Sequence, residues 1–77
     1  MEPHVERMLV EHKELKQKVE KLDAFIGTNP IFKSLSEEEQ RDMRLQFRAM
    51  MIYLDVLMTR IRRACPIAEI KSFTSEQ

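Results

Sequence analysis

Two series of apolar residues, each stepping alternately three and four positions, are broken once, at Gly27-Thr28-Asn29-Pro30. The first runs Val5, Met8, His12, Leu15, Val19, Leu22, Ile26, with a histidine holding one place. The second runs Met43, Phe47, Met50, Leu54, Leu57, Ile61, Ala64. Such spacing keeps one stripe of a helix turned to a partner along its whole length. Two such stripes and one short break predict two helices lying antiparallel side by side. The expected fold is all-α: an antiparallel two-helix hairpin that assembles into a homo-oligomeric helical bundle.

The punctuation sets the expected bounds. Pro3 suits a first helical turn, so the first helix should run over about residues 3–26. Gly27 is the expected stop, followed by a loop over 27–35 whose Ile31, Phe32 and Leu35 fold back over the hairpin end. Ser36-x-x-Glu39 is a capping box, and Glu37 and Glu38 favour the positive end of a helix dipole. The second helix should then occupy about 36–64 and end before Pro66. Residues 1–65 form one hairpin domain in this reading. The tail 66–77 either adds a short turn through Ile67, Ile70 and Phe73 or frays.

A chain of 77 residues has a thin core and needs a staple. Cys65 is the only cysteine, so no intrachain disulfide can form, and His4, His12 and Cys65 lack metal-ligand spacing. Self-association is the remaining staple. The second helix carries more apolar surface than one neighbour can cover: Leu45, Ile52 and Val56 on one flank, Met51, Met58 and Cys65 on the other. Met50, Met51, Ile52, Leu54, Leu57 and Met58 are the expected oligomer-interface residues, with further copies of the hairpin as partner. The groove of a target protein is the alternative cover.

Thirteen basic residues balance thirteen acidic ones, which argues against a protein that coats nucleic acid. The apolar run near residues 49–58 is too short to span a bilayer, and MEPHVER has no apolar signal core. A soluble protein of a reducing compartment is expected, with no membrane partner. Gly27 is the single glycine, leaving no glycine-rich phosphate cradle. With no nucleophile beside a base and no spaced metal ligands, neither an enzyme nor a cofactor is expected.

Heptad spacing places Gln46, Tyr53 and Arg60 in one line on the second helix. An amide can read a base edge, a phenol ring can stack on the base, and guanidinium grips phosphate at two points. Arg41, Arg44 and Arg48 form a second line. The expected ligand-binding residues are therefore Gln46, Tyr53, Arg60, Arg44 and Arg48, and the expected ligand is a small nucleotide. The alternative is that these arginines, beside glutamates, are solvated or weakly paired. His12 reads as a packed, hydrogen-bonded member of its seam, and Cys65 and the methionines read as packing.

The run LDAFIGTNPIFKSLSEEEQRDMRLQFRAMMIYLDVLMTRI resembles a family of very small tailed-phage proteins, including ones from crAss-like phages. The matching positions are Leu22, Phe25 and Ile26; Phe32, Leu35 and Ser36; Gln46, Ala49, Met50 and Tyr53; and Leu57, Arg60 and Ile61. With the Lys/Glu-rich first helix, the resemblance covers roughly residues 5–61. The architecture is also similar to phage anti-CBASS and anti-Thoeris sponges, oligomeric helical proteins that sequester cyclic oligonucleotides or cyclic ADP-ribose isomers. This second likeness is of size and form, not of residues. It implies a non-catalytic viral protein of the host bacterial cytoplasm that holds a cyclic nucleotide immune signal in pockets between protomers. The other reading is a small oligomeric interaction module that binds and inhibits a host protein.

Overall fold

The computed structural model describes residues 2–64. Expectations for Cys65 and for the tail 66–77 lie outside the described residues. Those described form three helices: α1 over Pro3–Thr28, α2 over Pro30–Ser34 and α3 over Glu37–Ala64. The fold is all-helical over this range, and α1 packs along α3.

The two predicted stripes meet. Val5, Met8, Leu15 and Val19 of α1 form one buried cluster with Leu57 and Ile61 of α3, with Phe47, Met50, Leu54 and Met58 packed partly buried against it. Val5 and Met8 open α1 while Leu57 and Ile61 close α3, so residues from opposite helix ends share one core and the helices run antiparallel. His12 is buried within the same stripe of α1.

The connection differs from the expected loop. Gly27 does not stop α1: its φ is not positive, and the helix continues through Thr28. The stop is Asn29, extended at φ −83° and ψ 121°, because the ring of Pro30 disfavours helical geometry in the residue before it. The Thr28 hydroxyl donates back to the carbonyl of Ala24 at 2.7 Å. Asn29 then caps the next helix, its Oδ1 accepting from the Ile31 N–H at 2.9 Å, with Pro30 in the first turn. One turn of helix, α2, results.

Phe32 of α2 is buried, standing edge-on to Phe25 of α1 with ring centroids 6.1 Å apart. The Arg44 guanidinium of α3 lies 5.2 Å over the Phe32 ring, a cation–π contact. Phe32 thus joins all three helices at the closed end of the hairpin. Half of the expected capping box forms at α3: the Ser36 hydroxyl accepts from the Glu39 N–H at 3.1 Å, without a return bond from the Glu39 carboxylate. The Gln40 amide adds a brace, donating to the carbonyl of Leu35 at 2.9 Å and of Lys33 at 3.4 Å. Among the described residues no helix is long and apolar enough to cross a membrane.

Candidate functional site

A helix turns about 100° per residue, so residues seven apart drift only about 20°. Gln46, Tyr53 and Arg60 accordingly share one flank of α3, all three exposed. The flank lies between the stripe that meets α1 and the outer face of the helix. The line extends about 20 Å from Gln46 to Arg60 at 1.5 Å rise per residue, longer than a small nucleotide can reach. In a single copy the three side chains do not converge on one molecule.

Arg44 and Arg48 fall elsewhere. Each lies about 140–180° around the helix from Tyr53, on the opposite flank. Arg44 is occupied over Phe32. The expected ligand residues therefore divide, within one chain, into two sets on two sides of α3. Among the described residues the only ion pair is Arg41 Nε with Asp42 Oδ1 at 3.9 Å, both well exposed, a pairing worth little in water. Arg48, Arg60 and Arg63 make no ion pair with any described residue.

The expected interface residues also divide. Leu57 is fully buried inside the chain, and Met50, Leu54 and Met58 pack against that same core. Ile52 faces outward at 66% exposure and Met51 is exposed as well. Leu45 and Val56, the flank mates of Ile52, are each 53% exposed. Between them stands Ala49, also exposed. Leu45, Ala49, Ile52 and Val56 step four, three and four, a second seam parallel to the first and opposite to it. Ala49 entered the sequence reading only through the family resemblance; its place in this outer seam follows from the spacing.

Two open depressions lie along α1. One, about 520 Å³, is lined by Lys21, Ala24, Phe25, Thr28, Asn29 and Pro30. Another, about 420 Å³, is lined by Pro3, Glu6, Arg7 and Val10. Neither is lined by a residue of the Gln46–Tyr53–Arg60 line.

His12 is the buried titratable group of the described core. Burial, first, and the Lys16 ammonium one turn on, second, hold its pKa below the ordinary 6.5. Both causes favour the neutral imidazole, which packs within the seam.

A small antiparallel helical hairpin, with a polar line and an apolar stripe side by side on the outside of α3, is a binding scaffold in form. The chain belongs to the Sequestin family, whose model matches residues 2–63. No curated protein and no solved structure matches it.

Proposed function

We propose that the chain is a phage counter-defence binding protein. It sequesters a cyclic nucleotide immune signal, either a cyclic oligonucleotide or a cyclic ADP-ribose isomer, in pockets between protomers and without catalysis. The observation that carries this reading is the exposed line of Gln46, Tyr53 and Arg60 beside an uncovered apolar stripe on the same helix. Membership of a family whose name speaks of sequestering supports it. The resemblance to small phage proteins supplies the setting.

Sequestration asks for affinity and copy number, not for chemistry. Tyr53 stacks on a base, Gln46 reads its edge, and Arg60 meets phosphate through charge-assisted hydrogen bonds. Arg44 and Arg48 reach the ligand only from another copy, since within one chain they lie on the far flank. Clefts between copies are the usual place for such convergence.

The test is a thermal-shift screen of the purified protein against cyclic di- and trinucleotides and cyclic ADP-ribose isomers. A ligand present at a hundred times its Kd stabilises the folded form by about 2.7 kcal/mol, a rise of several degrees for a domain of this size. Tyr53→Ala should abolish the rise while leaving the ligand-free melting temperature nearly unchanged, because the ring is solvent-facing. A full panel with no shift would reject the nucleotide. A host protein bound instead through the stripe of Ile52 would then favour the inhibitory interaction module.

A further inference from the structure

Four apolar or small residues, Leu45, Ala49, Ile52 and Val56, form a heptad-spaced stripe on the side of α3 away from α1, and no described element covers it. The charges around the stripe are sorted by position. The first turns of α3 carry Glu37, Glu38, Glu39 and Asp42; its last turns carry Arg60, Arg62 and Arg63. The helix dipole favours this order within one helix. It also makes the face complementary to itself when reversed.

We propose that a second copy of this chain docks on that face, with its α3 antiparallel to the first about a two-fold axis passing between Met50 and Met51. The pairing brings Gln46 and Tyr53 of both copies onto one cleft and leaves Arg44 and Arg48 of each copy on the opposite margin. In this register Leu45 meets Val56 of the second copy and Ala49 meets its Ile52, each pair occurring twice by symmetry. The small Ala49 leaves room for the large Ile52. Glu38 lies opposite Arg63 of the second copy at each end of the seam. Asp42 faces Arg60 on one margin, and Arg48 faces Asp55 on the other. All six of these charged side chains are exposed in the single copy. A parallel pairing would set acidic turns on acidic turns and arginines on arginines, which like-charge repulsion disfavours.

The register has a consequence for the ligand. The Gln46–Tyr53–Arg60 flank of one copy runs beside the same flank of the other, in the opposite direction. The two Tyr53 positions come about 7–8 Å apart along the helix direction, spaced to take a flat base between the rings, with a Gln46 amide nearby from each copy. Arg60, with five donors, can meet Asp42 of the second copy on one edge and an anion on another. This consequence rests on the proposed nucleotide binding; the pairing itself does not.

The experiment is sedimentation equilibrium of the full chain, with far-UV circular dichroism as a check on folding. The wild-type protein is expected as an even-numbered assembly. Ile52→Asp is expected to bring the mass down to half or less with helicity kept. Glu38→Arg alone and Arg63→Glu alone should each weaken association by about tenfold, by setting like charges opposite each other. The double variant Glu38→Arg/Arg63→Glu should return to within about twofold of wild type, which only an antiparallel pairing allows. A monomeric wild type, or a double variant at least as weak as both singles, overturns the proposal. If Ile52→Asp fails to fold, the two surface charges still decide. Nucleotide shift is read separately. A correctly paired dimer that binds no nucleotide rejects the ligand reading alone, and a monomer that binds one rejects the pairing alone.

Discussion

The two long helices divide the same task unequally. α1 has one apolar stripe, packed against α3 from Val5 to Val19, and an outer face of lysine and glutamate with Val10 its most exposed large apolar residue. α3 answers that stripe with its own and then presents a second one to solvent, edged by arginines. Both have similar length and heptad order. What differs is the face away from the core: on α1 it is mostly charged, on α3 it keeps an exposed apolar stripe, the kind of patch that marks contact surfaces. The lesson is that the inner faces account for the fold, while the outer face of α3 is left free of that task and is the face on which the proposed binding rests.

The most forceful way to probe the contrast is to cut an inner and an outer residue of α3 alike. Leu57→Ala removes a side chain with no solvent exposure and should cost about 2–5 kcal/mol, enough to unfold much of a domain this small. Ile52→Ala, five residues earlier, removes a side chain two-thirds exposed. It should leave the folding of one copy within about 0.5 kcal/mol while weakening self-association. Urea titration read at low and high protein concentration separates the two. Equal losses from both variants, independent of concentration, would mean that the inner and outer faces are not distinct.

Much of this architecture is legible in the amino-acid sequence. The alternation of threes and fours locates both inner faces, down to His12, because burial along a helix repeats with the turn. The Ser36 cap is legible because its hydroxyl and the Glu39 N–H are fixed by three residues of spacing. Gly27 misleads, since a glycine permits a stop without requiring one, whereas the Pro30 ring imposes it on Asn29. α2 escapes notice because five residues are too few to show a period, although Asn29-Pro30 is itself a helix-start signal. In the candidate site, the line of Gln46, Tyr53 and Arg60 can be read from spacing. The second line of Arg44 and Arg48 can be read from spacing as well; that Phe32 holds Arg44 cannot, because Phe32 lies twelve residues earlier on another helix. Spacing also sets Leu57 in the inner seam and Ile52 on a flank; what it does not give is that Met50, Leu54, Leu57 and Met58 are used up against α1 and so are not free for another copy.

A smaller effect compares the two helix starts. α1 begins at Glu2 with no side-chain cap, only backbone bonds from Val5 and Glu6 to the Glu2 carbonyl. α3 begins with the Ser36 hydroxyl on the Glu39 N–H. Ser36→Ala should cost about 1 kcal/mol, and Glu2→Ala a few tenths at most, since that side chain caps nothing. Chemical denaturation of the two variants under one buffer checks the ranking. A larger loss at Glu2 would reverse it and mean that α1, not α3, depends on its first turn.

The least change at neutral pH is expected from titrating the one polar member of the inner stripes. His12 belongs to α1; α3 offers Leu54, Leu57 and Ile61 with no such group. Burial and then Lys16 lower the folded-state pKa of His12 below the unfolded 6.5. The folded chain therefore binds fewer protons than the unfolded chain, and stability rises with pH across this window. Well above pH 6.5 the imidazole is neutral in both states and nothing is lost. As pH falls below that value the unfolded state takes up its proton first, and stability declines until the folded-state pKa is passed, where the loss levels off. His12→Leu, which continues the apolar series, should flatten that part of the melting-temperature profile while the carboxylates continue to titrate at lower pH. A profile unchanged by the substitution would mean that the imidazole protonates as readily in the seam as in water, and that the inner stripe of α1 is wetter there than its burial implies.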